Sequence, residues 1–414
     1  MQPPITIIGL NYSPEPTGIA PYTRGAAIGL AERDWPVTVI TGYPHYPQWR
    51  IPADYSGWRR RELLDGIPVL RLSHPVPRHG EQLKRALMEA VFGTRAAFSR
   101  WGRSTTVLVV SPALISAAVV VLRARLTRTP VVVWVQDIYT LAAAQTGSSS
   151  AAARVLRSIE RWTLTRATRV IAIHERFRDF ISRELDVDPD RIDVVRNWTH
   201  LQDSPQRSAE VRRRLGWPDD VTIALHAGNM GAKQNLENVV LASQVAARRG
   251  DPVRFVLLGD GNRRDALRAM GENPNLQFID PLPDAEFAEA LTSADLLVVN
   301  ELPGMTEMSV PSKLTSYFNT GLPVIAAVDA GSVTADELAL SEGGLRVEPN
   351  DPEALVDAAL RLRADPETAA RLGANGRRHR NQALNVDRAI EEIAGSLSAA
   401  RASHSGSQSP TTRI

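Results

Sequence analysis

Only three of the 48 basic residues in this 414-residue chain are lysines: Lys84, Lys233 and Lys313. Where arginine serves almost everywhere else, a lysine kept in a loop points to a need for a compact ammonium. Lys233 stands in HAGNMGAKQNLE (226–237), where Gly228 and Gly231 let the backbone approach a ligand closely and Asn229 follows the first glycine. Lys313 stands in NELPGMTEMSVPSKLTSYF (300–318), where Val310 and Pro311 lead into Ser312, Lys313, Leu314 and Thr315 at the start of a helical stretch. Free helix amides, a hydroxyl and an ammonium together suit a diphosphate. Glu307, in the same loop, can accept hydrogen bonds from sugar hydroxyls, which neither lysine nor serine does as well. LLGDG (257–261) adds Gly259 and Gly261 as candidates for close backbone contact with a base or ribose, with Asp260 read as structural.

The first half offers two further loops. GLNYSPEPTGIAPYT (9–23) places Gly18 before a helix, where backbone amides can hold an anion. WVQDIYT (134–140) offers Gln136 and Asp137 as contacts for a donor sugar or an acceptor. Each has a plainer reading: Ser312 and Asp137 as caps, Glu307 as a solvated acid, the Gly18 loop as an ordinary strand–helix turn. Asp186, Asp188 and Asp190 resemble a metal cluster but precede a strand, and read as a helix-to-strand turn. There is no Walker loop, no H-x-x-x-H pair, no G-x-S-x-G elbow, and no G-x-G-x-x-G after the first strand.

The elements that must position these loops follow one rhythm. ITIIGL (5–10), PVTVIT (36–41), PVLRL (68–72), TVLVVS (106–111), VVVWVQ (131–136), RVIAI (169–173) and RIDVVRN (191–197) are apolar, β-branched runs separated by helical stretches. The pattern restarts at VTIALHAG (221–228) and continues through VRFVLLGDG, LQFID, ADLLVVN, LPVIAA and GLRVEP. Continuous apolar strands between helices predict parallel sheets covered on both faces, here two doubly wound α/β units in tandem. The polar stretch 199–206 is the expected linker, and the loops after strands are where ligands bind. A last helix over about 387–400 follows the final strand, and the Ser/Thr-rich tail 403–414 is expected to be unstructured.

Composition narrows the class. Residues 1–200 hold 26 basic against 17 acidic side chains, a net of +9, while residues 201–414 net −7. The basic half is expected to face an anionic surface. No cysteine is present, which removes disulfides and thiolate metal sites and fits a reducing cytoplasm. No signal peptide opens the chain, and its longest apolar run, Ala113 to Leu122, falls short of the ~20 residues that span a bilayer. The helical stretch 81–103 carries Lys84, Arg85, Arg95, Arg100 and Arg103 beside Leu83, Leu87, Val91, Phe92, Phe98 and Trp101, and is expected to lie on an anionic membrane.

Together, GLNYSPEPTGIAPYT, TGYPHYPQW, WVQDIY, VVRNW, GNMGAKQNLENV, VLLGDG, SADLLVV and VPSKLTSYFNTGLPVIAA resemble the retaining family-4 glycosyltransferases of GT-B fold, in the branch of bacterial colanic-acid and exopolysaccharide enzymes. The resemblance implies two Rossmann-like domains facing each other: an acceptor domain over 1–200, completed by a C-terminal crossover helix (about 383–402), and a nucleotide-sugar domain over 205–380. It places Tyr12, Glu15, Tyr43, His45 and Tyr46 on the acceptor side. It assigns Lys233 to the diphosphate, with Glu307, Gln136 and Asp137 beside the sugar. Three departures stand out: Asn229 replaces an arginine many members carry, Thr315 replaces the second of two glutamates separated by seven residues, and Gln136 replaces a histidine that many members carry in the first domain. The implied reaction is transfer with retention from a nucleotide-diphosphate sugar to a glycan or polyprenyl-diphosphate-linked acceptor, with no required metal or other cofactor and no nucleic-acid partner. The implied location is the cytoplasm, at the inner face of the membrane. The alternatives are a sugar-nucleotide 2-epimerase on the same scaffold and a non-catalytic interaction protein.

Overall fold

The computed structural model describes residues 2–16, 18–77, 82–102, 104–141, 150–198, 205–304 and 312–406. It divides into two compact units, one formed by Met1–His200 with Val386–Ile414 and the other by Leu201–Asn385.

The first unit is built on an eight-stranded sheet: β1 Ile5–Gly9, β2 Val37–Gly42, β3 Arg59–Leu64, β4 Ile67–Leu72, β5 Thr106–Ser111, β6 Val131–Val135, β7 Arg169–Ala172 and β8 Ile192–Val194. Its order is β3-β4-β2-β1-β5-β6-β7-β8, parallel except for the β3–β4 hairpin. The parallel strands match the apolar runs because burial on both faces demands continuous hydrophobicity, and β1, β5 and β6 are buried at every residue. The sequence pattern missed β3. Its residues, RRRELL, are charged because an edge strand faces water, and the hairpin is turned by Asp65 (φ 52°) and Gly66 (φ 76°).

Helix Val386–Gly406 completes this unit, running through residues 403–406 that composition had assigned to an unstructured tail. Ile390, Ile393 and Leu397 are fully buried. Ile390 fits against Gly29, where a Cβ would lie only 2.7 Å from it. Arg33 pairs with Asp387 at 2.9 Å, and Ser396 donates to Asp193 at 2.6 Å.

The second unit has six parallel strands, β9 Thr222–Ala227, β10 Val253–Leu258, β11 Leu276–Ile279, β12 Leu296–Asn300, β13 Val324–Ala327 and β14 Gly344–Val347, in the order β11-β10-β9-β12-β13-β14. Alternate residues feed two cores. Phe255 and Leu257 pack on one face, and Val256 and Leu258 on the other. The order reverses between β9 and β12, so the loops leaving those two strands diverge around a topological switch point.

Candidate functional site

The two lysine loops leave the two strands at that switch point. After β9, Gly228 takes φ 123°, a conformation reserved for glycine. Gly231 opens a short 3₁₀ turn, Ala232–Gln234, in which Lys233 is exposed. The turn is held by the Gln234 side chain, which accepts from the Gly231 amide at 3.1 Å, and it docks on the β12 loop through Leu302 N–H to Lys233 C=O at 2.9 Å. Asn300, at the end of β12, donates to the carbonyls of Gln234 and Asn235 at 2.9 Å each and accepts from Asn238 at 2.8 Å. The two loops are therefore one bonded assembly.

Lys313 enters from helix Ser312–Thr320. Its Cε would sit 3.2 Å from a Cβ at Gly228, and its Nζ 3.9 Å, so the missing side chain at 228 is what lets the ammonium lie over the loop. Burial lowers Lys313 from its ordinary 10.5 to about 8, and Glu301 partly opposes the shift. Glu301 is itself pushed above the ordinary carboxylate value by burial, against the pull of a hydrogen bond from Thr334 and the Lys313 charge. His226, wholly buried behind the loop, is lowered to about 3 by burial and then by Lys313, so it is neutral. Tyr317 ties the helix to the end of β9: its hydroxyl accepts from Ala227 N–H at 2.8 Å and donates to Ala227 C=O at 3.2 Å. The chemistry available here is a positive charge over a glycine turn, in surroundings that strengthen its grip on an anion.

The other expected residues of this unit fall into three groups. Gly259 and Gly261 press on the lysine loop: a Cβ at 259 would lie 2.1 Å from the Gly228 carbonyl oxygen, and one at 261 would lie 2.5 Å from that of Met230. Their bareness is thus required by loop-on-loop packing. Leu314 is core, and Thr315 on the same helix is buried. Glu307, Val310 and Pro311 lie outside the described residues, as does the side chain of Ser312.

In the first unit the structure gathers the loops after β1, β2 and β4. Glu15 is buried and accepts from the amides of His45 at 2.8 Å and Tyr46 at 2.9 Å, and from Asn11 at 2.8 Å. His45 Nδ1 lies 3.1 Å from the Tyr43 carbonyl and 3.3 Å from Glu15. His74, which sequence reasoning missed, reaches the same carbonyl through Nε2 at 3.1 Å and sets its ring edge-on to His45, with centroids 4.8 Å apart. Burial lowers both histidines, His74 to about 4. Tyr12 is buried, and Tyr43 donates to the Ser56 carbonyl at 2.8 Å. Gly18 takes φ 68° below the Tyr46 ring.

Gln136 is not in that cluster. It forms a reciprocal amide pair with Asn197, at 3.2 and 2.9 Å, joining the ends of β6 and β8 above the stacked rings of Trp134 and Trp198. Asp137 is exposed beside it. The rest of that loop is fixed by the buried Glu160, which accepts from the amides of Tyr139 at 2.7 Å and Thr140 at 2.9 Å. Asp186 ends a helix in the left-handed conformation and Asp188 caps the next turn, as a helix-to-strand turn requires.

Comparison with known proteins agrees with this architecture. Residues 17–198 match the glycosyl transferase 4-like domain, and residues 207–379 match the glycosyl transferases group 1 model. The chain is 30% identical to a putative colanic acid biosynthesis glycosyl transferase, WcaI, of Escherichia coli over 375 residues, 85% of this chain and 90% of that protein. Among solved structures it superimposes on a sucrose-phosphate synthase from Thermosynechococcus elongatus with a TM-score of 0.72 at 20% identity, covering 95% of this chain and 98% of the other. It also superimposes on Anabaena HepE in complex with UDP-glucose, with a TM-score of 0.67 at 16% identity over 95% and 99% of the two chains. Two parallel-sheet α/β units, two domain models end to end and a relative aligned along most of its length lead to one conclusion: the chain is a member of the GT-B glycosyltransferases, with a glycosyl transferase 4-like domain followed by a group 1 domain.

Proposed function

We propose that the protein transfers a sugar, with retention of anomeric configuration, from a nucleotide-diphosphate sugar to a glycan or polyprenyl-diphosphate-linked acceptor in cell-surface polysaccharide synthesis. The observation that carries the donor assignment is Lys313 lying over Gly228 at the switch point of the second sheet. Anabaena HepE, which shares the fold, was solved in complex with UDP-glucose, and a uridine nucleotide is therefore the first donor to try.

In this reading the donor diphosphate lies against the bare Gly228 turn and on the start of helix Ser312–Thr320, between the Lys313 and Lys233 ammonium groups. The acceptor hydroxyl oxygen bonds to the anomeric carbon on the face that the diphosphate leaves. As the carbon–oxygen bond to the β-phosphate breaks, the hydroxyl proton passes to the departing phosphate oxygen. Lys233 and Lys313 stabilise the charge growing there, so no metal ion is needed. Glu307 and Gln136 orient the sugar. The loops around Tyr12, Glu15, Tyr43, His45 and Tyr46 shape the acceptor side, with Glu15 as their clamp.

Membrane contact is proposed through helix Gln82–Phe98. No helix among the described residues is long and apolar enough to cross a bilayer. The helix packs inward through Met88, Phe92 and Ala96 and leaves Leu83, Leu87 and Phe98 exposed beside Lys84 and Arg85. The site of action proposed is the inner face of the cell membrane.

The test is a panel of nucleotide-diphosphate sugars assayed for hydrolysis and transfer with and without EDTA, and NMR of the product's anomeric configuration. Retained configuration with EDTA-insensitive turnover is expected. An inverted product, or turnover abolished by chelation, overturns the mechanism.

A further inference from the structure

Helices Gln82–Phe98, Leu114–Leu126 and Ser150–Arg166 pack side by side in that order. The first crossing is close enough that a Cβ at Gly93 would lie 2.6 Å from the Ser116 Cα. This face carries Leu83, Leu87, Phe98, Leu122, Leu126, Val155 and Trp162, seven of the fourteen large apolar side chains exposed among the described residues. Such concentration on three adjacent helices marks an interaction surface.

Between the second and third helices runs a mainly apolar groove of about 740 Å³, walled by Ile115, Ala118, Val119, Val155, Ile159 and Trp162, with Arg154 and Ser158 as its polar lining. A second groove of about 530 Å³ adjoins it, sharing Ser158 and Trp162 as a common rim, and is walled by Arg157, Arg161, Thr165, Arg166 and Asp186. Two of these arginines are paired at the surface, Arg157 with the Glu184 carboxylate at 2.9 Å and its carbonyl at 2.8 Å, and Arg161 with Asp186 at 2.7 Å; exposed ion pairs of this kind are displaced by a phosphate at little cost. An apolar groove adjoining one walled by guanidinium groups is complementary to an amphiphile with a hydrocarbon chain and an anionic head.

We infer that these adjoining grooves seat one anionic phospholipid of the bilayer, with an acyl chain along Val119, Val155 and Ile159 and the phosphate across the Ser158–Trp162 rim at Arg157, Arg161 and Arg166. The inference builds on the membrane contact proposed above and adds a lipid-specific seat on a different pair of helices. It is separate from the donor site, which lies in the other unit.

Two probes test it: monomeric dihexanoyl phosphatidylglycerol against dihexanoyl phosphatidylcholine by calorimetry, and vesicles of phosphatidylglycerol in phosphatidylcholine by sedimentation. Val155→Glu and Arg161→Glu alter exposed side chains, and each is expected to weaken the monomeric anionic lipid about tenfold. Leu83→Asp/Phe98→Asp is expected to weaken vesicle binding and leave the monomeric lipid unchanged. Equal binding of the two monomeric lipids, or affinity unchanged by Val155→Glu, overturns the seat. Self-association that Val155→Glu abolishes without altering lipid affinity also overturns it, identifying the groove as an interface between copies. If the monomeric lipid binds but vesicles do not, the seat stands and the helix-face contact falls.

Discussion

At pH 7 the Lys313 ammonium, brought from 10.5 to about 8, is a charge held where water is scarce. An unfolded lysine keeps its proton up to about 10.5 and the folded one releases it near 8. The cost to folding, roughly 3 kcal/mol, is therefore fully present below pH 8 and fades as pH climbs towards 10.5. Lys313→Met should stabilise the protein at pH 7 by up to roughly 3 kcal/mol, since the value of about 8 already includes the attraction to Glu301. Denaturant titration checks this, and a destabilised variant would mean the lysine serves the fold. Donor affinity should also fall with rising pH above about 8, as the free ammonium gives up its proton; calorimetry with UDP from pH 6.5 to 9.5 reads that limb. Lys313 was legible because lysine is rare in this chain and because Pro311 and Ser312 announce a helix start. Glu301, His226, His74 and Asn197 were not, since each acquires its partner across 12 to 72 residues of sequence, from a neighbouring strand or helix.

The glycine-bearing turns act as elements, and they divide by what a side chain would strike. At Gly261 an added Cβ meets the Met230 backbone at 2.5 Å, which cannot move without the whole loop. At Gly231 it meets the tips of the flexible Asn229 and Gln234 side chains at 2.8 and 2.9 Å, which can swing away for the loss of one hydrogen bond, that of the Gly231 amide to Gln234. Gly261→Ala should therefore cost roughly 3 kcal/mol and weaken the donor, while Gly231→Ala stays under about 1 kcal/mol. Thermal unfolding and UDP affinity of the two variants check the contrast, and equal effects would contradict it. The parallel strands could be read from β-branched runs because both faces of each sheet are covered. The hairpin strand Arg59–Leu64 could not, though the Asp65-Gly66 pair was a signal for its turn. The two glycines of LLGDG were read as contacts for a base or ribose, and what the structure sets against them is the neighbouring loop.

At the scale of the whole molecule, acid sensitivity follows from histidines folded in their neutral form. His45, His74 and His226 are all lowered by burial, His74 to about 4 and His226 to about 3. Below about 6.5 the unfolded chain takes up protons that these sites refuse, so stability falls with pH until about 4 and 3 for the last two. Glu15, Glu89, Glu160 and Glu301, raised by burial, act in the opposite sense above the ordinary carboxylate value. Loss of stability should therefore begin between pH 7 and 6, and His74→Gln should reduce its slope by about one proton. Denaturant titrations at pH 7, 6 and 5 measure this, and a variant with the wild-type slope would contradict it.

The central claim is that the second unit grips the diphosphate of a nucleotide-sugar through Lys313 and the Gly228 turn. Its most direct test is a thermal-shift panel of UDP, GDP, ADP and their sugars on the wild type and on Lys313→Ala. Stabilisation of the wild type by at least one nucleoside diphosphate is predicted, with affinity lowered about a hundredfold in Lys313→Ala by loss of a charge-assisted contact. A wild type that no nucleotide stabilises, or a variant that binds as tightly as the wild type, would contradict the account.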